Sequence, residues 1–312
     1  MAGPPRDGSE APEAVQGPRR RGISLAALRR LGAMRLRARV AVEGHFSGQH
    51  RSTTHGVSVE FADHREYAPG DDTRHLDWRL YARAERDFVK QFDAETNLCV
   101  YILLDISASM DYPSTAPNKL DYSAQLAAGL AYIAWKQRDA PGLALFDSRL
   151  RTLLPPRTQR GHLARLLETL DALTPGDETD FGAGLTEAAA AAGRRGLTVL
   201  ISDLWAPPET IIRSLRYFRR KGHDVLALHV LHPDEITLPF AGSRRFLDPE
   251  GGRSVITDVT LARREYMKEL SAHITAVRDG LRAANIDYQL CETTKPFDLA
   301  LATVLARRNG GP

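Results

Sequence analysis

"LCVYILLDISASM", residues Leu98 to Met110, begins as an almost unbroken run of strand-forming side chains and ends on an aspartate and two alternating serines. A short, continuous apolar run bounded by polar residues reads as a strand buried on both faces. Four more segments share this texture: GLALFD from Gly142, GLTVLISD from Gly196, DVLALHVL from Asp224 and IDYQLCE from Ile286. Helical segments fall between and after them, near residues 120–137, 160–172, 183–193, 208–221, 262–284 and 297–308. Buried strands alternating with helices predict an α/β domain from residue 97 to the end, built on a doubly wound, mostly parallel sheet. RRFLDPEGGRSVITD, at residues 244–258, reads as a β-hairpin inserted before the long helix.

In such a sheet, ligands bind outside the carboxyl ends of the strands, so the polar residues that follow strands matter most. Asp105, Ser107 and Ser109 are spaced by two, which in extended chain turns their side chains to one side. Asp203 follows GLTVLIS as Asp105 follows its own strand, and Thr179 lies in GDETDFGAGL, the loop that opens a helix. Singly, each of these residues is explained as a helix cap or turn residue. Together they offer two carboxylates and three hydroxyls, a hard oxygen set suited to Mg²⁺, with Mn²⁺ or Ca²⁺ as alternatives. Asp105, Ser107, Ser109, Thr179 and Asp203 are therefore the candidate metal ligands. Their few formal charges leave room for a carboxylate from another protein.

Catalytic readings fare less well. A metal-assisted phosphoesterase using Asp105 and Asp203 is the alternative, but a phosphoryl-accepting aspartate of the dehalogenase type needs a second acid where Ser107 stands. FGAGLTEA, from Phe181, has Glu187 at the third glycine position of a dinucleotide loop and follows a polar loop, not a strand. Neither a P-loop nor a G-x-S-x-G elbow occurs in the chain. His45, His50 and His55 recur every five residues, a spacing that aligns neither on a helix nor on a strand.

The remaining sequence bounds the class. With 42 Lys and Arg against 39 Asp and Glu, the net charge of +3 gives no argument for nucleic acid. Cys99 and Cys291 form no C-x-x-C pattern and read as reduced core residues. No apolar run approaches the roughly 20 residues of a membrane span, so a cytoplasmic protein is expected. Residues 1–22, rich in Pro, Gly and charge, read as a disordered tail. Residues 23–96 read as a smaller α+β region, with a basic helix over 24–42 and short strands in GVSVEF and DFVKQF. The basic helix suits a solvated face, or peripheral contact with lipid headgroups.

The order D-x-S-x-S, then Thr, then Asp resembles the metal-ion-dependent adhesion site of von Willebrand factor type A domains. GQHRSTTHGVSVEFADHREYAPGDDTRHLDWRLYAR, Gly48 to Arg83, resembles the signature of domain-of-unknown-function family 58. The resemblance spans about residues 24–308. It implies a bacterial von Willebrand factor A-like protein associated with MoxR-type AAA+ ATPases. A non-catalytic adaptor or co-chaperone follows, binding protein partners through its cation. Arg74, Asp77, Trp78 and Arg83, within that signature, are candidates for a partner-binding face; an internal ion-pair network around a docked tryptophan is the alternative.

Overall fold

A computed structural model describes Leu28, Arg30, Leu31, residues 34–37, 98–113, 118–176, 180–248 and 254–309, and the backbone of two strands at 60–66 and 88–93. The predicted tail, the three histidines at 45, 50 and 55, Thr179, and the candidate partner residues Arg74, Asp77, Trp78 and Arg83 lie outside the described residues.

Strands β1 (Glu60–Glu66) and β2 (Phe88–Asp93) form an antiparallel pair. DFVKQF is thus a strand from Phe88 as expected, and the described strand overlapping GVSVEF runs from Glu60 through the charged ADHRE, Gly56 to Val59 lying outside the described residues. Cross-strand pairing, more than its own apolar alternation, carries this segment.

The main sheet has six strands: β3 (Cys99–Asp105), β4 (Ala140–Phe146), β5 (Leu150–Leu154), β6 (Gly196–Ser202), β7 (Asp224–Leu231) and β10 (Asp287–Glu292). Its order is β10-β7-β6-β3-β4-β5, with β5 antiparallel to β4 and all other neighbours parallel. This is the predicted doubly wound, mostly parallel sheet. The antiparallel edge strand β5 escaped the sequence reading because LRTLL is short and carries Arg151 at its second turn of the pleat. Between β7 and β10 the hairpin β8 (Ser243–Leu247) and β9 (Ser254–Asp258) forms as expected.

Seven helices, α1 (Lys119–Lys136), α2 (His162–Asp171), α3 (Phe181–Ala191), α4 (Pro208–Arg220), α5 (Pro233–Thr237), α6 (Val259–Ala283) and α7 (Phe297–Asn309), are numbered here among the described residues. Alternate strand residues divide the core. Val100, Ile102 and Leu104 face α1, α2 and α7, while Tyr101 and Leu103 face α3, α4 and α6. The central strands are buried on both sides, which is why their sequence is continuously apolar rather than alternating.

The helix expected over 24–42 is corrected. Leu28, Arg30 and Leu31 are helical, but Met34 to Arg37 are not. Gly32, a residue suited to stopping helices, follows directly. Leu36 instead hydrogen-bonds the Gln137 side chain, its N–H donating to Oε1 at 2.8 Å. Leu28, Leu31 and Leu36 are buried while Arg30, Arg35 and Arg37 are exposed, so the basic residues form a solvated face. Gly129 in α1 makes this packing close: a Cβ there would meet Leu31 at 2.9 Å and Leu301 at 2.7 Å.

Two buried charges hold the opposite end of the sheet from the strands' carboxyl ends. The Arg308 guanidinium, on α7, bonds Asp224 and Asp287, at the starts of β7 and β10, and the carbonyl of Arg37. Arg308→Met should cost about 3–5 kcal/mol, since it takes the guanidinium away from the buried Asp224; urea unfolding would measure it.

Asp139 accepts a hydrogen bond from the Leu98 N–H at 3.0 Å. Burial raises its pKa to about 7, although that hydrogen bond acts the other way. In the unfolded chain the carboxyl ionises near 4, so the folded state holds the proton more tightly between these values. Asp139's contribution to stability is therefore largest at low pH and falls as pH rises from about 4 to about 7. Asp139→Asn should flatten that slope in a series of melting curves.

Candidate functional site

The strand order reverses between β3 and β6: the chain winds one way from β3 to β4 and β5, and the other way from β6 to β7 and β10. The carboxyl ends of these two neighbours form the switch point, where an open α/β sheet leaves a crevice between diverging loops. Asp105 is the last residue of β3, and Asp203 directly follows β6. Both are almost fully buried, at 1% and 2% exposure.

Beyond Asp105 the chain does not stay extended, and this corrects the expectation that strand alternation aligns the three oxygen donors. Ser107 precedes a 3-10 turn over Ala108–Asp111. The turn still gathers the donors: the Ser107 N–H donates to Asp105 Oδ1 at 3.0 Å, and the Ser107 and Ser109 hydroxyls lie 3.0 Å apart. Ser107 occupies the cap position of the turn yet makes no side-chain capping bond. Its hydroxyl is therefore not explained by capping. Asp180, by contrast, does cap α3, accepting from the Ala183 N–H at 2.9 Å.

Asp105, Ser107, Ser109 and Asp203 thus come together at one edge of the sheet; Thr179 lies outside the described residues. The loop preceding Thr179 arrives at this edge at its described end, where the Gly176 N–H donates to the Ile106 carbonyl at 2.6 Å. Gly176 packs closely there: a Cβ would stand 2.4 Å from Asp147 Oδ2, so any larger residue would displace that carboxylate.

Four further residues shape the site. Ser202 Oγ donates to Asp105 Oδ2 at 2.6 Å and accepts from the Leu204 N–H at 2.9 Å. Leu204 has a positive φ of 53°, an unfavourable conformation for a branched residue, so the chain turns sharply just past Asp203. Lys119, at the first turn of α1, is 1% exposed. Its ammonium donates to Asp203 Oδ2 at 2.8 Å and to Glu235 Oε1 at 2.6 Å. Glu235, in α5, also accepts from the His232 N–H at 2.8 Å. His229 is buried and bonded to the Tyr288 hydroxyl at 2.8 Å. Burial pushes its pKa down to about 4, so it is neutral at ordinary pH.

The electrostatics are those of a site short of positive charge. Burial, and then the neighbouring Asp203 carboxylate, push the Asp105 pKa up to about 7, against the hydrogen bonds from Ser202 and Ser107. Burial would also lower the Lys119 pKa, but the Asp203 and Glu235 carboxylates outweigh it and raise it. Two carboxylates, Asp203 and Glu235, share the one ammonium, and Asp105 has none. A cation beside Asp105 and Asp203 would relieve their repulsion, and the Ser107 and Ser109 hydroxyls would add oxygen donors without further charge. The donor set fits a hard divalent ion.

Sequence reasoning did not single out Lys119, Ser202, Glu235 or His229. Ser202 was legible, since it stands beside Asp203 at a strand end. Lys119 and Glu235 were not, because a lone lysine opening an apolar helix normally reads as a solvated end. Its burial follows only from the tertiary position of α5.

The family model described as "Protein of unknown function DUF58" matches residues 63–276. Uncharacterized proteins Rv1480 of Mycobacterium tuberculosis and Mb1516 of Mycobacterium bovis are each 28% identical over 286 residues, covering 90% of this chain and 89% of theirs. Among solved structures, an aerotolerance-related membrane protein from Bacteroides fragilis is similar, with 21% identity and a TM-score of 0.49 over 69% of this chain and all of its own. BatB from Bacteroides thetaiotaomicron is similar at 17% identity and a TM-score of 0.48, with the same coverage. No helix among the described residues is long and apolar enough to cross a membrane.

Lys119→Met should lower the unfolding free energy by about 3–5 kcal/mol, because Asp203 would stay buried without its ammonium. Adding Asp203→Asn should restore part of the loss, a coupling that urea unfolding of both single variants and the double variant in chelator would measure.

Proposed function

The chain belongs to the DUF58 family, and on that premise we propose that it is a non-catalytic, divalent-cation-dependent protein-interaction module acting as adaptor or co-chaperone to a MoxR-type AAA+ ATPase. The observation that carries the cation dependence is the buried pair Asp105 and Asp203 at the switch point, beside the Ser107 hydroxyl, which makes no capping bond, and the Ser109 hydroxyl 3.0 Å from it. Mg²⁺ would be held by Asp105, Ser107, Ser109 and Asp203, with Thr179 as the fifth protein ligand. The bound ion supplies a positive centre that a carboxylate of the partner completes. The protein residues do the rest: Ser202 and the Ser107 N–H orient Asp105, while Lys119 holds Asp203 in place.

The ATPase is proposed from the resemblance of Gly48–Arg83 to the family signature. The absence of a P-loop in the sequence agrees with an adaptor that leaves energy-driven work to its partner. A cytoplasmic location fits that role.

Calorimetry of the purified chain with Mg²⁺ and Mn²⁺ should give one site, abolished by Asp105→Ala. A pull-down of the MoxR-type ATPase from the same cell should need Mg²⁺, fall with chelator, and fail with Asp105→Ala and Thr179→Ala while both variants stay folded. Equal Mg²⁺ binding by wild type and Asp105→Ala would overturn the cation site. Association that survives chelator and both substitutions would place the ATPase on another surface. Hydrolysis of a phosphoester panel, lost in Asp105→Ala, would return the reading to a metal-assisted phosphoesterase.

A further inference from the structure

Beside the candidate site lies a pocket of about 560 Å³, enclosed by α5, the start of α6 and the β8–β9 hairpin. That volume lies in the range that encloses a whole small ligand or several side chains. Ser109 and Lys119 belong to both the pocket and the site. The other walls are mainly aromatic and aliphatic, with Tyr112, Trp205, Phe240, Phe246, Val255 and Tyr266.

The apolar surface continues past the pocket. Strand pairing turns Phe246 and Val255 to the pocket face of the hairpin, and Leu247 and Ile256 to the other face. Val255, Ile256 and Leu247 are 61%, 73% and 67% exposed, and Leu261, at the start of α6, is 82% exposed. Trp205, directly past the turn after Asp203, is 42% exposed. A cluster of large apolar side chains in water marks an interaction surface. Among the described residues β8 and β9 pair only with each other, so each leaves a free edge that an extended chain can join.

We infer that this surface binds an extended segment of another polypeptide, in which an acidic residue is adjacent to one or more large apolar residues. The acidic residue meets the cation at Ser109, and the apolar neighbours enter the pocket and lie along the hairpin. The shared wall dictates this pairing: a chain whose carboxylate lies at Ser109 leads its next residues against Tyr112 and Phe246. Charge dictates the order of the two groups, since Asp234, Glu235 and Asp248 line the pocket and disfavour a carboxylate inside it, which leaves the acid to the cation. The free strand edges and the exposed Val255 and Trp205 in the pocket wall favour a polypeptide over a small molecule, which would leave the edges uncovered. The acidic half rests on the divalent-cation reading; the apolar half does not.

The full chain, immobilised with Mg²⁺, would be used to select from a random peptide library displayed on phage. Enriched peptides would be remade with fluorescein and their affinities read by anisotropy. Peptides with an acid beside Leu, Ile, Phe or Trp should be enriched. Replacing the apolar residue by Ser in the peptide, or filling the pocket with Ala262→Trp, should weaken binding by about ten- to a hundredfold. Val255→Ser, an exposed and milder change, should weaken it in the same direction, and calorimetric Mg²⁺ binding should be unchanged in both variants. Peptides without an apolar requirement, equal binding by wild type and both variants, or no enrichment over a control surface would overturn the inference. Binding that needs the pocket but ignores chelator and the peptide's acid would sustain the apolar anchor and overturn the cation reading alone.

Discussion

The buried ammonium of Lys119, held between Asp203 and Glu235, is the constraint around which this end of the molecule is arranged. A lysine at the first turn of a helix is doubly disfavoured, by burial and by the positive end of the helix dipole. It persists because two carboxylates face it, and each comes from a different layer of the fold. Asp203 comes from the end of a central strand and Glu235 from the short helix after β7. The α1 helix is thereby fixed against the sheet at the same point where the sheet's loops diverge. A helix that starts on a capping box, with Asn118 and Asp121 bonded reciprocally, needs no lysine there for its own sake. The charge is explained by the site.

The same crowding explains why Asp105 is unusual. Its two oxygens are satisfied by Ser202 and by the Ser107 N–H, so it is not an orphan in hydrogen-bond terms. What it lacks is opposing charge, because the nearest ammonium is already shared by two other carboxylates. Hydrogen bonds lower the cost of ionising a buried carboxyl, but do not remove its repulsion with a second one. The sheet makes this arrangement tolerable by being rigid. Its central strands are buried on both faces and hydrogen-bonded on both edges, so the two carboxylates cannot drift apart to relax.

Much of this was legible in the chain. Continuous apolar runs ending in Asp105 and Asp203 announce both the parallel sheet and the edge where these carboxylates meet, because a strand covered on both faces leaves only its end for polar chemistry. The hairpin at 243–258 was visible through its turn residues and charges. What escaped was set by tertiary contact. The edge strand β5, only five residues long, is recognisable as a strand through its pairing with β4. The turn at Ser107 replaces strand alternation with local hydrogen bonds, reaching the same convergence by other means. Lys119 reads as a surface residue until α5 is placed over it.

Lys119 and Glu235 also join two features that look separate. Lys119 contacts Asp203 and Glu235, and both Lys119 and Glu235 line the apolar pocket. Charge brought to Asp203 changes the field in which this pair sits, and an apolar residue in the pocket would cover the part of Glu235 still open to solvent. Each event alters the energy of the other through one shared ion pair, and such a coupling is reciprocal by thermodynamic necessity. The pair is buried, so the coupling is weakly screened by salt. A cation at the candidate site and an apolar anchor in the pocket would therefore act on one electrostatic unit.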